Sequence, residues 1–432
     1  MSSFSQPETS GVQGSDSGMQ NFFVSFGPGL LWAGSAIGVS HLVQSTRAGA
    51  TAGFALAGVI IFALILKYPF FEFGPRYAAA TGESLVEGYR RVGRWAVWLY
   101  LLIMLSTVVF TNAGILLFTE ALFQYALGTS FSPTLASAVV YSGCVLLLWV
   151  GHYKTLDLAI KAVVLVLALS TLVAASLLLP QADFSDLRLI PPVPSEGTVT
   201  LAFMIALAGW MPVGIEAATL SSLWTLAKDK STKVRTSVST ARLDFNIAYV
   251  GTGVLAFAFL ILGAVVMYGS GQEFSASPAG FSTQLIALYE STLGGWAGPI
   301  VVTAAVTAMF STTLTVMDGY PRAIDRAIKV IKTDDPDQTA NADISEPYWI
   351  ALIGIGVLMT LFLHFFVSSL TQMIDFITIV SFMAGPILGY LNLKAVTSPH
   401  VPKEHQPGKA MLAFSYFGLI SMAVVAVIFL MN

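Results

Sequence analysis

The fold is decided by two interrupted apolar segments. One reads WAGSAIGVSH over residues 32–41, and the other reads ALAGWMPVGIE over residues 206–216. The first carries glycine and polar residues in the middle of a long apolar run, and the second carries glycine and Pro212 there. Proline removes a helical hydrogen bond and clashes with the preceding turn, while glycine lowers the cost of unwinding. Both segments therefore predict helices that break near their midpoints, with non-helical backbone near residues 38–41 and 211–214 facing across a central cavity, and with an ordinary proline or glycine kink as the alternative.

Composition places these segments in a membrane. Of 432 residues, 55% are hydrophobic and 10% are charged, whereas a soluble domain carries about 25% charged residues. A water-soluble fold is therefore excluded, and membrane lipid is the expected surrounding. The net charge of −3 does not favour a nucleic-acid partner. The single cysteine, Cys144, offers neither a disulfide nor a thiolate metal cage, and we expect no cofactor.

Apolar runs of about 20 residues are long enough to cross the hydrocarbon, and eleven such runs can be recognised. The first five lie near residues 24–50, 52–75, 95–123, 132–151 and 156–179. The other six lie near residues 197–224, 243–269, 294–321, 347–367, 371–393 and 410–431. The sequence predicts an all-α membrane protein with a single transmembrane domain over residues 22–432. A disordered cytoplasmic tail is predicted over residues 1–21.

The two interruptions fall in the first and sixth spans, which are corresponding positions of two five-helix halves. These halves would cover residues 24–179 and 197–393, with a final helix over 410–431. Broken helices at such positions are typical of transporters built from inverted repeats, and they hold the solute near the bilayer midplane. Non-helical backbone is tolerated there only where it is buried or lines a cavity.

Lys and Arg favour short cytoplasmic loops, so their placement predicts the orientation. With the N-terminus inside, the inner loops would hold most of these residues: Arg76, Arg90, Arg91, Arg94, Lys154, Lys228, Lys230, Lys233, Arg235, Arg322, Arg326, Lys329, Lys332, Lys394, Lys403 and Lys409. The outer segments would hold little beyond Arg47 and Arg188. We predict a multi-pass protein of a bacterial-type inner membrane, with the C-terminus outside and a monomeric state.

Further motifs stand in a fixed order along the chain. They are Gly27-Pro28-Gly29, Ala48-Gly49-Ala50, ATGESLVE at 80–87, Ala208-x-x-Met211-Pro212, and STTLT at 311–315 leading to Met317-Asp318-Gly319. From about residue 26 to 393 the chain resembles the NRAMP (natural resistance-associated macrophage protein) divalent-metal transporters. The resemblance implies a LeuT-type fold with discontinuous helices 1 and 6, and alternating-access transport of a cation. It implies no enzymatic activity.

The chain departs from this family at the metal site. Where the family has Asp-Pro-Gly-Asn, this sequence has Gly38-Val39-Ser40-His41. The family's two histidines after the Met-Pro pair fall on Val213 and Ala218, so we expect only a weak dependence on a proton gradient.

The resemblance retains the Ala208 carbonyl and the Met211 thioether as site contacts. The predicted substrate-binding residues are Gly38, Ser40, His41, Ala208, Met211 and Glu216. Of these, His41, Met211 and Ala208 are the candidate metal ligands. Glu216 is the nearest candidate to replace the lost carboxylate, because an ionisable residue inside a membrane is a functional hypothesis by default. The alternatives are a structural carboxylate at Glu216 and a packing histidine at His41.

Ser311, Thr312 and Thr313 could offer hydroxyl oxygens to Na⁺, or could simply bond to the preceding helical turn. Two transport hypotheses follow. The first is a secondary transporter of a metal cation with an altered site, and the second is a transporter of another small solute, with Na⁺ coupling as one option. An enzyme is disfavoured, because the chain has no His-Glu-x-x-His and no Gly-x-Ser-x-Gly. The identity of the solute and of the coupling ion, and the direction of transport, stay open.

Overall fold

The computed structural model describes residues 27–150, 153–192, 194, 199–271, 274–333, 339, 343–366 and 369–431. These residues form helices and connecting turns, with no strand among them. The all-α prediction is therefore confirmed. The predicted disordered tail over residues 1–21 lies outside the described residues.

The first half of the chain forms seven α-helices. They are α1 (Pro28–Ala36), α2 (Thr46–Ala52), α3 (Ala57–Thr81), α4 (Leu85–Val92), α5 (Arg94–Leu127), α6 (Pro133–Val150) and α7 (Tyr153–Leu178). A π-helical turn (Ser40–Ser45) joins α1 to α2, and a 3₁₀ turn (Leu179–Gln181) follows α7.

The second half forms eight α-helices. They are α8 (Leu201–Gly209), α9 (Ala217–Thr232), α10 (Val238–Val266), α11 (Pro278–Leu293), α12 (Ala297–Lys332), α13 (Glu346–Phe366), α14 (Leu370–Val396) and α15 (Lys409–Met431). A 3₁₀ turn (Lys403–His405) precedes α15. The predicted first span corresponds to α1 with α2, and the predicted sixth span to α8 with α9.

Eight of the described helices are long and apolar enough to cross a membrane without a break. They are α3, α5, α6, α10, α12, α13, α14 and α15. The first and sixth spans are outside this group because each is divided into shorter helices. The protein is therefore a multi-pass membrane protein, while the total of eleven spans stays a prediction.

Both predicted interruptions are present. Helix α8 ends at Gly209, and residues 210–216 are non-helical before α9 begins. In the first span, α1 ends at Ala36, and Ile37 and Gly38 interrupt the helix. The interruption is shorter than predicted there, because Ser40 and His41 already belong to the π-helical turn.

Glycines allow the second part of the first span to pack directly against α10. A Cβ atom on Gly49 would lie 2.1 Å from the Leu260 carbonyl oxygen. A Cβ atom on Gly263 would lie 2.1 Å from the Thr46 carbonyl oxygen. Small residues at membrane helix crossings let backbones approach closely in this way. The crossing fixes α2 against α10 beside the interruption of the first span.

Charged side chains connect neighbouring helices through hydrogen bonds and an ion pair. The Asp244 carboxylate on α10 accepts hydrogen bonds from the backbone N–H groups of Gly27 (3.2 Å) and Gly29 (2.7 Å) at the start of α1. A carboxylate at a helix N-terminus satisfies N–H groups that have no helical partner. Elsewhere, Arg47 pairs with Asp375 on α14 at 2.8 Å, and so links the first span to the tenth.

Candidate functional site

A narrow cavity lies between the interruptions of the first and sixth spans, with walls completed by α5 and α12. Its lining residues include Ser35, Ala36, Ser40, Thr111, Trp210, Val213, Glu216, Thr312 and Tyr320. The space open to the centre of a water-sized sphere is about 30 Å³. That is room for an ion or about two water molecules. The predicted arrangement of two helix breaks around a cavity is therefore present in the fold.

Glu216 is the carboxylate that lines this cavity. It lies immediately before α9, where the N-terminal end of the helix dipole is positive. Tyr320 donates a hydrogen bond to Oε1 at 3.2 Å, and the Ser381 hydroxyl lies 3.4 Å from both carboxylate oxygens. A Cβ atom on Gly214 would lie 2.2 Å from Oε1, so the absence of a side chain there makes room for the carboxylate.

His41 joins the interrupted first span to α10. Its Nε2 lies 2.9 Å from the Thr252 carbonyl oxygen. Its Nδ1 lies 2.8 Å from the Ser40 hydroxyl and 2.9 Å from the Ala36 carbonyl oxygen. The neutral ring carries one N–H, so it donates either from Nε2 to the Thr252 carbonyl or from Nδ1 to the Ala36 carbonyl, while the Ser40 hydroxyl itself donates to the Ala36 carbonyl at 2.6 Å. Both ring nitrogens thus have protein partners, and His41 is fully buried behind the cavity wall.

The other predicted contacts also lie outside the cavity lining. Met211 is fully buried in an apolar cluster that contains Leu260. Gly38 faces α12, because a Cβ atom there would lie 3.0 Å from the Thr312 side chain. The Ala208 carbonyl oxygen accepts a hydrogen bond from Lys67. Of the six predicted substrate-binding residues, the structure brings Ser40 and Glu216 to the cavity, and the ligand roles of the others stay predictions.

Lys67 is the site residue that the sequence analysis missed. It lies within α3, and its ammonium contacts four backbone carbonyl oxygens at the break of the sixth span. The distances are 2.9 Å to Ala208, 2.8 Å to Gly209, 3.1 Å to Met211 and 3.0 Å to Val213. A signal was available, since a lysine in the apolar run AGVIIFALILKYPFF (residues 57–71) is an intramembrane ionisable residue.

Two of the three hydroxyls of the candidate Na⁺ site face different helices, while the third, on Ser311, lies 3.8 Å from the position of a Cβ atom on Gly34 in the first span. Thr312 donates to the Gly34 carbonyl oxygen at 2.9 Å and so faces the first span. Thr313 lies 2.8 Å from the hydroxyl of Thr119 on α5 and faces the third span instead. Thr312 and Thr313 also bond to the preceding turn of α12. The Na⁺ site stays a prediction, and Thr312 is the hydroxyl of this group that lines the cavity.

Comparison with known proteins identifies the family. A family model described as natural resistance-associated macrophage protein-like matches residues 29–432. The chain belongs to the Nramp family. The sequence-based resemblance is thereby confirmed, and the chain is a membrane transport protein.

Among the relatives of this Nramp chain, an uncharacterized protein of Pasteurella multocida, PM0681, is 32% identical over 410 residues. That match covers 94% of this chain and 92% of the relative. The divalent metal cation transporter MntH of Yersinia pestis is 28% identical over 260 residues, covering 57% of this chain and 60% of that protein.

Solved structures confirm the LeuT-type fold of this Nramp chain. The Eremococcus coleocola manganese transporter superimposes with a TM-score of 0.72 at 14% identity, covering 96% of this chain and 88% of that chain. MhsT in complex with L-phenylalanine superimposes with a TM-score of 0.56 at 16% identity, covering 93% of this chain and 97% of that chain.

The cavity of this Nramp chain offers few side chains that could bind a metal ion. Among the described residues, no group of three or more His, Cys, Asp or Glu side chains lies close enough to hold a metal ion. Glu216 is accompanied in the cavity by hydroxyl, indole and aliphatic groups. The site therefore offers one carboxylate and neutral oxygens, with the Lys67 ammonium close enough to attract the carboxylate electrostatically.

Proposed function

We propose that this chain is a secondary transporter that moves a small cation across the membrane by alternating access. The proposal rests on the Glu216 carboxylate, which lines the cavity between the two broken helices. A buried carboxylate is costly at membrane depth, and such residues mark solute and ion pathways. Ser40 and Thr312 place hydroxyl groups on the same cavity walls. A cation in the cavity would meet one negative charge and several neutral oxygens.

A metal cation is the leading cargo, since MntH and the Eremococcus coleocola transporter are both named for metals. The proposed site is altered, because the Lys67 ammonium opposes an added positive charge beside Glu216. Hard cations such as Mg²⁺ need several oxygen ligands and lose their waters reluctantly. We therefore propose that Mg²⁺ and Mn²⁺ bind more weakly than softer or singly charged cations.

The proposed orientation has the N-terminus in the cytoplasm and the C-terminus outside, in a bacterial-type inner membrane. The positive-inside rule supports it, since most Lys and Arg residues fall in alternate loops. Two basic residues of one such loop also lie beside other helix ends, one at the start of α1 and one at the end of α3. Lys228 Nζ would lie 3.9 Å from a Cβ atom on Gly27, and Arg235 donates to the Ala80 carbonyl oxygen at 3.3 Å.

Uptake into proteoliposomes tests the proposed function. We expect saturable uptake of at least one cation from a panel of Na⁺, Mg²⁺, Mn²⁺, Fe²⁺ and Zn²⁺, with Mg²⁺ and Mn²⁺ among the weaker substrates. Uptake should respond weakly to a pH gradient, because Val213 and Ala218 stand where the family has histidines. Protein-free liposomes are the control. Folded protein that moves no cation contradicts the proposal, and stoichiometric proton entry contradicts the weak proton dependence.

A non-metal solute is the second candidate, and one observation favours it. Trp210 lines the cavity, and its buried indole N–H has no hydrogen-bond partner among the described residues. A metal ion cannot accept a hydrogen bond, whereas an oxygen of an organic solute can. In the same assay, this candidate predicts no metal uptake by wild type and uptake of a small organic solute, with or without a Na⁺ gradient.

A further inference from the structure

The break of the sixth span leaves a cluster of backbone carbonyl oxygens that need donors. The last carbonyl groups of α8 have no partner within the helix, and residues 210–216 do not continue it, although the Ala208 oxygen also accepts hydrogen bonds from the backbone N–H groups of Trp210 and Met211. The C-terminal end of a helix also carries the negative end of the helix dipole. In a soluble protein water would solvate such oxygens, but at membrane depth the protein must satisfy them. The cluster therefore attracts a cation.

Lys67 supplies that cation from a different helix. Its side chain is 2% exposed, and Nζ lies between 2.8 and 3.1 Å from the carbonyl oxygens of Ala208, Gly209, Met211 and Val213. An ammonium has three N–H donors, so four oxygens at this distance saturate it. Four neutral oxygens around one positive charge resemble the coordination shell of a bound cation, with the ammonium in the place of the ion.

Two nearby groups add to the stabilisation of this charge. The Glu216 carboxylate attracts the ammonium electrostatically. The ring of Phe71, one helical turn further along α3, has its centroid 5.7 Å from Nζ. Burying an ammonium without partners costs far more than any single hydrogen bond returns. The groups around Lys67 therefore stabilise the charged ammonium, in addition to packing against the apolar part of the side chain.

We propose that Lys67 is a tethered cation, which takes the place of a bound ion at the carbonyl cluster of the sixth span. This inference rests on the proposed transport function. The Ala208 carbonyl, which the family resemblance assigns to a metal, accepts a hydrogen bond from the ammonium instead. A divalent ion at that oxygen would meet the positive charge of Lys67. Any transported cation is therefore bound by Glu216 in the cavity and not at the carbonyl cluster, and the helix break keeps its shape without a metal.

Chemical rescue tests the inference in the full-length protein. Lys67→Ala removes three carbons and the nitrogen, so propylammonium fits the space left in front of the four carbonyls. We expect a lower thermal unfolding midpoint for this variant and at least about a tenfold loss of uptake, because several buried acceptors lose their donor together. Propylammonium should restore much of the unfolding midpoint. Propanol, which has the same length and no charge, should not.

Lys67→Met is the matched variant, because its side chain fills the same space without charge. We expect it to lose stability and to gain nothing from propylammonium. If Lys67→Ala does not survive purification, Lys67→Gln replaces it and should show a lowered midpoint and little uptake. A wild-type midpoint in Lys67→Met or Lys67→Gln, or equal rescue by propanol, would overturn the inference. The unfolding midpoint does not depend on transport, so a wild type without cation uptake would contradict the proposed function alone.

Discussion

Glu216→Gln should lower cation uptake by about ten- to a hundredfold while leaving the protein folded. The substitution keeps the size of the side chain and removes its charge. A hydrogen bond or contact to a charged group contributes about 1.5–3 kcal/mol. In addition, the Lys67 ammonium would no longer be offset by the carboxylate that attracts it. Initial uptake rates in proteoliposomes, measured at equal amounts of folded transporter, give the size of the effect.

Glu120→Gln is a matched control for this experiment. Glu120 is also a buried carboxylate, on α5, but it is not among the residues that line the cavity. Its partner in the structure is Gln124 on the same helix. We expect uptake by Glu120→Gln to stay near the wild-type level. Equal uptake by wild type and Glu216→Gln would remove Glu216 from the proposed solute site.

Gly263→Val should sharply reduce the yield of folded protein. A Cβ atom on Gly263 would lie 2.1 Å from the Thr46 carbonyl oxygen and 2.9 Å from the Ala50 backbone nitrogen. The valine could be accommodated only if α10 moved away from α2. Overpacking of a close contact costs about 1–3 kcal/mol or more, and the displacement would extend to the interrupted first span. Size-exclusion profiles and thermal unfolding of the detergent-solubilised protein measure the loss.

Gly251→Val provides the control within the same helix. No atom lies within 4 Å of a Cβ atom placed on Gly251, and that residue is exposed on the outside of the bundle. We expect its unfolding midpoint to remain close to that of wild type. If Gly263→Val and Gly251→Val behave alike, the close crossing of α2 and α10 does not stabilise the fold.

Much of the architecture could be predicted from the sequence because the interruptions have side-chain signatures. Gly38 and the segment from Met211 to Gly214 are non-helical as predicted, since glycine and proline act on the backbone at their own positions. The π-helical turn over Ser40–Ser45 was not predicted. Its hydrogen bonds depend on how the first span packs against its neighbours, and no residue type marks them.

The candidate site was predicted only in part, for a related reason. Glu216 was recognised because a carboxylate in an apolar segment stands out, and it does line the cavity. The acceptors of Lys67 are backbone oxygens about 140 residues away in the sequence, so no side-chain pattern indicates that they need a cation. The sequence shows that Lys67 lies in the middle of an apolar run, but only the three-dimensional structure shows which carbonyl oxygens accept its hydrogen bonds.

Access to Ser40 from the two sides of the membrane tests most directly the claim that the cavity is an alternating-access solute site. Ser40 lines the cavity and is 4% exposed, while Cys144, the single native cysteine, is buried and can be replaced by serine. In a Cys144→Ser background, Ser40→Cys should react with a membrane-impermeant thiol reagent from either face, depending on the direction of the solute gradient. Bound solute should slow the reaction. A cysteine that reacts from one face only under every gradient, or from neither face, would contradict the account.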